Sequence, residues 1–539
     1  MKSNSITFML LALCSAVLLS LGFLFPHCGG FALVGFVPLL WMDRMARSDG
    51  KRRFWWWHYL CFVMWNALTT WWVCNATVGG GLFAIFANAL QMSVIWAVFR
   101  LSAKRFSGSV PYVFLAAMWI AWERFYFDAE ISWPWLVLGN SFARTTSCIQ
   151  WYDTTGLLGG SLWIWACNLA VFGLMCALES GDWKKFNAKA RTAAITGTLI
   201  VFVAPLCVSF VKYARYQSDS GKGQLEACVL QPNLDPYQKF ESLSQQQQTE
   251  ILVEQIQGLQ ELADTGRAML LVAPETFTND VFYNDINSGA TLRRFKDVLA
   301  AYPNANLLFG ASAYEFFYQN GAPSANARKL HDGQWYESHN AALITDCGPR
   351  VEVYNKSKLV VGVEKLPYPA VLGKVDDMLG GVAGRCVGQK EVTLLHYMGD
   401  GRKVPLGCAI CYESVYPEHF ARYVARGAQA MTVITNDAWW GNTAGYKQHL
   451  SYSSLRAIET RRCIARSANT GISAFINQRG DIVSQTDWWE RQTLCGTMEL
   501  SAVLTPFVKY GDITGRLCSF VFLLMFFALG VNIITKRRL

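Results

Sequence analysis

Eight stretches of the chain are apolar over roughly the 20 residues that a helix needs to cross a bilayer core. Seven of them precede residue 215, at about 6–25, 30–42, 54–73, 80–99, 110–126, 157–178 and 191–212, and the eighth spans about 515–535. The second is short and predicts a helix that continues into its flanks. Lys2 ahead of the first run has the form of a cleavable leader, yet another apolar run follows at once, so a retained span is expected. Charged residues make up 16% of the chain and apolar residues 52%, too little charge and too much to bury for a disordered protein. Residues 220–500 nevertheless read as ordinary soluble sequence. The chain is therefore expected to be a multi-pass helical membrane bundle joined to a water-soluble domain, divided as 1–214, 215–512 and 513–539.

Basic residues alternate between the loops. Arg44, Arg47, Lys51, Arg52 and Arg53 follow the second run, and Arg100, Lys104 and Arg105 the fourth. Lys184, Lys185, Lys189 and Arg191 follow the sixth, and Lys536, Arg537 and Arg538 the eighth. The loops between them hold few; Arg124 and Arg144 lie in the long one after the fifth run. The positive-inside rule then puts both termini in the cytoplasm, and seven crossings put residues 215–512 outside. The formal net charge of +9 reads as membrane topology, with no nucleic-acid partner expected. Trp55, Trp56, Trp57, Trp71 and Trp72 fall near helix ends, as an interfacial aromatic belt does. Of the 16 cysteines, those within the runs read as small packing residues, and the others face an oxidising side under this topology.

In the soluble stretch, short apolar runs bounded by turn or charged residues read as buried strands: Leu225–Gln231, Ala268–Ala273, Asn306–Ala311, Ala341–Thr345, Leu406–Cys411 and Ala430–Thr435. Gln245–Ala263 and Thr291–Ala301 read as helices, giving a layered α/β pattern. Three places there can carry chemistry, each at a strand end where α/β sheets collect catalytic groups. They are Glu275 in Ala273-Pro-Glu-Thr276, Lys356 in Tyr354-Asn-Lys-Ser-Lys358 with Glu364 eight residues on, and Cys411 in Cys408-Ala-Ile-Cys-Tyr-Glu-Ser414. A thiol attacks as the thiolate and needs a base or cation beside it. A carboxylate, a lysine and a cysteine supply base, oxyanion stabiliser and nucleophile. Taken singly, each also has an ordinary role: Glu275 as a cap, Lys356 as a solvated cation, Cys411 as a buried strand-end residue. Cys408 and Cys411 form a C-x-x-C with no second ligand pair apparent, so neither a metal nor any other cofactor is expected.

Together these residues resemble the nitrilase superfamily, whose signature is Glu-Lys-Cys in that chain order. Tyr354-Asn-Lys356, Leu359-Val360, Glu364, Cys411-Tyr412-Glu413 and Asn436-Asp437-Ala438-Trp439 resemble the apolipoprotein N-acyltransferase family more narrowly. Similar blocks are Gln448-His449, Arg456-Ala-Ile-Glu459, Arg466-Ser-Ala-Asn469-Thr-Gly471 and, in the long loop, Trp133-Pro-Trp135-Leu136 with Gly139-Asn-Ser141. Two positions depart. Val361-Gly362-Val363 stand where the family usually has Pro-Phe-Gly, and Phe240 stands where it has a tryptophan, keeping an aromatic but losing an indole donor.

The resemblance implies eight transmembrane helices with an αββα nitrilase-like sandwich, set in a bacterial inner membrane with the catalytic domain periplasmic. It implies a two-step ping-pong acyl transfer. Glu275 takes the proton of Cys411, the thiolate attacks the sn-1 ester of a phospholipid such as phosphatidylethanolamine, and Lys356 stabilises the oxyanion. The acyl-thioester then passes to the α-amine of a diacylglyceryl-cysteine on an apolipoprotein, the last step of lipoprotein maturation. Glu364, Tyr412 and Glu413 take supporting roles, and Phe240, Trp439 and Trp440 are candidate lipid contacts. A monomer is the simplest assembly. Three other readings compete: a membrane-anchored amidase using the same triad, a catalytically silent lipoprotein-binding scaffold, and a transporter. Eight helices are excessive for tethering, a silent copy has no chemical reason to keep all three groups, and intramembrane charges are scarce apart from Glu123 and Arg124.

Overall fold

The structure is a computed structural model that describes residues 5–48, 54–235, 243–259, 268–368 and 384–535. The chain divides into two compact units, Met1–Tyr216 with Tyr510–Leu539, and Gln217–Lys509. In the first, every apolar run forms a helix: α1 (Ser5–Leu24), α2 (Val37–Ser48), α3 (Trp55–Thr70), α4 (Val78–Ser102), α5 (Val110–Tyr126), α6 (Leu157–Glu179), α7 (Ala188–Arg215) and a last helix, Ile513–Thr535. Five of these are long and apolar enough to cross a membrane: α1, α4, α6, α7 and the last. Helices α2, α3 and α5 have 12, 16 and 17 residues. At 1.5 Å per residue they reach roughly 18–26 Å, short of the ~30 Å hydrocarbon core.

The expected continuous second helix is broken. A 3-10 turn (Gly29–Phe31) and a single helical turn (Ala32–Gly35) precede α2, which runs on to Ser48. Asn168 of α6 serves the break: its Oδ1 accepts the Phe36 N–H at 2.7 Å and its Nδ2 donates to the Ala32 carbonyl at 2.8 Å. Buried backbone groups freed from a helix ladder need such partners.

Two residues of the basic clusters are partly buried and pack inward. Arg47 and Arg100 both pair with the buried Asp43, at 2.7 and 3.0 Å. Glu123 accepts the Leu138 N–H at 2.8 Å and the Trp119 indole at 3.1 Å, while Arg124 faces Asp512 at 3.8 Å. The long loop after α5 is thereby folded into its unit, with Trp135, Leu136 and Asn140 buried. Of the proposed aromatic belt, Trp56 and Trp71 are exposed. Trp72 is fully buried against Trp135, so it belongs to the core.

Among its described residues the second unit holds fourteen strands: β1 (Gln224–Gln231), β2 (Met269–Val272), β3 (Thr278–Phe282), β4 (Ala305–Tyr318), β5 (Arg328–His331), β6 (Gln334–Thr345) and β7 (Val351–Asn355) come first. They are followed by β8 (Leu395–Gly399), β9 (Arg402–Ile410), β10 (Ala430–Thr435), β11 (Ile464–Ala468), β12 (Ala474–Ile476), β13 (Ile482–Gln485) and β14 (Gln492–Glu499). One sheet runs β14-β1-β2-β4-β6-β5, with β3 beside β4 and β7 beside β6; the other runs β13-β12-β11-β10-β9-β8. Strands β1, β2 and β4 are parallel, as are β9, β10 and β11, so several strands end on one side of the sheets.

Side chains on successive residues of a strand point to opposite faces. Leu225, Ala227 and Val229 of β1 therefore join the core shared with the second sheet, while Cys228 and Leu230 join the other core. That outer core is covered by α8 (Gln245–Gln257) and α9 (Ala290–Leu299). Helices α10 (Pro417–Ala425) and α11 (Ala444–Thr460) cover the second sheet, giving helix, sheet, sheet and helix layers. A capping box at Ser244 and Gln247 starts α8 where the sequence places it. The helix ends at Gln257, short of Ala263, and residues 260–267 lie outside the described ones. At the sheet edge, Cys228 of β1 and Cys495 of β14 are directly opposed and form a disulfide.

Candidate active site

Each of the three strand-end groups is delivered by a strand. Glu275 follows β2 and is buried. Gly310 of β4 lies against it so closely that a Cβ there would meet the Glu275 Cα at 2.5 Å, so no larger residue fits. Lys356 follows β7 and is 1% exposed. Its Nζ donates to Glu275 Oε1 and Glu364 Oε1, both at 2.9 Å. Burial pulls this lysine down, but the negative charges of Glu275 and Glu364 outweigh it and hold the ammonium well above its ordinary value.

Glu364 reaches this position from a tight turn. Gly362 takes a positive φ of 83°, its N–H donates to the Lys365 carbonyl at 2.8 Å, and the Val360 N–H donates to Glu364 Oε2 at 2.7 Å. The Val361-Gly362-Val363 sequence thus makes a turn that returns Glu364 to Lys356. Asn340 of β6, which the sequence reading did not single out, joins the carboxylates: its Nδ2 donates to Glu275 Oε1 at 2.8 Å and to Glu364 Oε1 at 2.5 Å. Its carbonyl accepts the Lys356 N–H at 2.8 Å.

Cys411 begins the turn after β9 and has φ 51°, a left-handed conformation costly for a residue with a side chain. Burial pushes the thiol well above its ordinary value, Glu275 and Asp437 push it the same way, and Lys356 opposes them. The resting group is therefore a thiol, and ionising it requires a base to take the proton. Cys408 is wholly buried in β9, and burial raises it to about 12.

Glu413 ties the cysteine turn to the lysine loop. Its Oε1 accepts the Tyr354 hydroxyl and the Ser357 N–H at 2.6 Å and the Lys358 N–H at 3.1 Å, and its Oε2 accepts the Ile410 N–H at 2.8 Å. Burial raises this carboxyl, but His419 and these donors hold it below its ordinary value. Tyr412 is buried edge-on to Tyr416.

A second network lies behind Cys411. Asp437, just past β10, accepts His449 Nδ1 at 2.9 Å and Arg466 Nη2 at 2.6 Å. His449 Nε2 lies 3.1 Å from the Cys411 carbonyl and 3.0 Å from the Ser414 hydroxyl. All three residues are buried. Burial raises Asp437, yet Arg466 and His449 hold it down to about 2. A carboxyl held low stabilises the fold above the ordinary carboxylate range and loses that contribution as pH falls toward 2. The depression corresponds to about 2–3 kcal/mol. Asp437→Asn is expected to lower the thermal midpoint at pH 7 and to remove this acid-linked loss. A wild-type pH–stability profile in the variant would contradict it.

Trp440 packs edge-on against His449, and Trp439 is partly exposed beside it. Phe240 lies outside the described residues.

Comparison with known proteins gives two family matches along the chain. Residues 179–504 match the carbon–nitrogen hydrolase family, and residues 15–170 match the apolipoprotein N-acyltransferase N-terminal domain. The apolipoprotein N-acyltransferase of Chlorobaculum tepidum is 29% identical over 519 residues, covering 93% of this chain and 92% of the relative. That of Geobacter metallireducens is 25% identical over 520 residues, covering 94% and 92%. Among solved structures, a Saccharomyces cerevisiae member of branch 10 of the nitrilase superfamily aligns with 51% of this chain and 90% of its own, at 14% identity and a TM-score of 0.37. Since the first of these matches takes in both sheets and extends over more than half of the sequence, the chain belongs to the carbon–nitrogen hydrolase family.

Proposed function

We propose that this protein is an N-acyltransferase that moves an acyl chain from a phospholipid, through a thioester on Cys411, to the amino terminus of a diacylated lipoprotein. The observation that carries the reading is Lys356, buried between Glu275 and Glu364 and sharing its field with the Cys411 thiol. The relatives' names, and an apolar helical unit suited to lipid substrates, support the choice of acyl transfer over amide hydrolysis.

Glu275 accepts the Cys411 proton as the thiolate attacks the sn-1 ester carbonyl. Lys356 stabilises the oxyanion as it forms, a role for a preorganised cation in a dry site. Glu275 returns the proton to the departing lysophospholipid oxygen, leaving the acyl-thioester. The lipoprotein α-amine then attacks, Glu275 takes its proton, and the thiolate leaves and is reprotonated. Glu364 and Asn340 orient Lys356 and Glu275, while Glu413 and Tyr412 fix the cysteine turn. Trp439, Trp440 and Phe240 are proposed to contact the lipid.

Eight spans are proposed, with α2, α3 and α5 completed by their flanking turns. Both termini are then cytoplasmic and residues 215–512 periplasmic. The Cys228–Cys495 disulfide supports placing that unit on an oxidising side.

The test is intact-protein mass spectrometry of the detergent-purified chain after incubation with phosphatidylethanolamine. A hydroxylamine-labile acyl adduct and released lysophospholipid are expected, followed by transfer to an added diacylated lipopeptide. Well-folded protein that forms no adduct, releases no lysophospholipid and turns over a small soluble amide would overturn the reading in favour of an amidase.

A further inference from the structure

The outer face of the larger sheet carries a second cluster of chemically able side chains. In the β4–β6 pairing, Glu315 stands directly opposite Glu337, and Ala313 opposite His339. Glu337 and His339 are two residues apart on one strand and share a face. Asn340, next in the chain, points to the other face, where it meets Glu275 and Glu364. The cluster and the candidate active site therefore lie on opposite sides of β6.

Like charges directly opposed across a strand pair destabilise it, and buried carboxylates need a partner. Among the described residues, neither Glu315 nor Glu337 has a side-chain hydrogen bond or ion pair, although Glu337 is only 8% exposed. His339 is 5% exposed. Its Nδ1 lies 2.9 Å from the Val387 carbonyl, and its Nε2 is buried with no hydrogen-bond partner. A carbonyl only accepts, so Nδ1 carries the hydrogen and Nε2 presents its lone pair. The Tyr283 ring, 5.1 Å away, packs on the imidazole. A carbonyl on one ring nitrogen fixing the other for coordination is how metal-ligating histidines are held.

One ring nitrogen of His339 and one oxygen from each carboxylate lie within 4.8 Å of one another. Bonds of about 2.0–2.2 Å would draw such atoms to about 3–4 Å apart, a small closure. Two carboxylates and a neutral imidazole balance a charge of +2. We infer that Glu315, Glu337 and His339 form a binding site for a divalent transition-metal cation, Zn²⁺ by its mixed nitrogen–oxygen donors, which clamps β4 to β6. Glu315 is half-buried and leaves an access side for the ion. The site is independent of the acyl-transfer reading.

The test uses the full-length protein in detergent, carrying Cys411→Ala so that the Cys411, Asp437 and His449 cluster lacks its thiol. The protein is stripped with EDTA and titrated with Zn²⁺ and, for its absorption bands, Co²⁺. A single tight equivalent is expected, with cobalt bands of an oxygen–nitrogen site, and Zn²⁺ raises the thermal midpoint. Glu337→Gln and His339→Gln should each weaken binding at least ~100-fold. Glu337→Gln separates loss of a ligand from misfolding: in EDTA it should be no less stable than its parent, because it relieves the opposed charges, and Zn²⁺ should no longer stabilise it. Absence of binding in the parent, or equal affinity in the parent and both variants, would overturn the site.

Discussion

Replacing Cys411 with alanine is expected to abolish the acyl-thioester and to reduce transfer by on the order of 10⁴–10⁶-fold, while Cys408→Ala keeps most of the activity. The two thiols are three residues apart, and both are buried with values above the ordinary range. What separates them is position. Cys408 lies within β9, its side chain enclosed in the core between the layers. Cys411 lies past the strand end, on a strained turn, where the charges of Glu275 and Lys356 both act on it. Only there can a carboxylate accept the proton while a cation waits for the oxyanion. The measurement is the hydroxylamine-labile adduct by mass, together with lysophospholipid release, in both well-folded variants. Equal losses in the two would remove Cys411 as the nucleophile.

Lys356→Met should be less damaging to transfer and far more damaging to stability. Loss of the oxyanion donor is expected to slow acylation about 10²–10³-fold. Removing the cation between the buried Glu275 and the partly buried Glu364 should also cost about 3–5 kcal/mol, because the two carboxylates keep their hydrogen bonds from Asn340 and Val360 but lose their counter-charge. The two effects come apart in a double variant. Adding Glu364→Gln to Lys356→Met removes one of the stranded charges and should recover part of the thermal midpoint, with no recovery of acylation. If the double variant is no more stable than Lys356→Met alone, the carboxylates are not coupled through the lysine. If it acylates normally, Lys356 has no part in the chemistry.

Much of this site is legible in the sequence because Glu275 and Cys411 each end a short apolar run and Lys356 follows an alternating one. Leu225–Gln231 and Ala430–Thr435 are strands nearly to the residue, and Glu275, Lys356 and Cys411 follow β2, β7 and β9. What escaped as secondary structure was polar and buried. Helix α11 buries Gln448, His449, Ser451, Ser453, Ser454, Arg456 and Glu459 together, so it has no apolar stripe against a polar face. Strand β11 reads Ile-Ala-Arg-Ser-Ala, and Arg466 interrupts what would be an apolar run; its pairing with Asp437 and its hydrogen bonds to the Ile472 carbonyl and the Ser453 hydroxyl make that burial tolerable. Asn340 ends a polar stretch of β6 whose neighbours, Glu337 and His339, look like solvent-facing residues until the register brings Glu315 across from them. Asparagine at that place carries no local signal, since its partners arrive from 65 and 24 residues away. Strands β4 and β6 likewise extend well beyond their apolar segments, as paired hairpin arms that need no continuous hydrophobic face.

The Cys228–Cys495 bond joins strands that are 267 residues apart in sequence. Glu275, Lys356, Glu364 and Cys411 all fall inside the covalent ring it closes. One peptide cleavage anywhere within that ring opens it without separating the pieces. A nicked chain would gain only the mass of one water, travel as a single band on a denaturing gel, and part into two fragments only when thiol reductant is added.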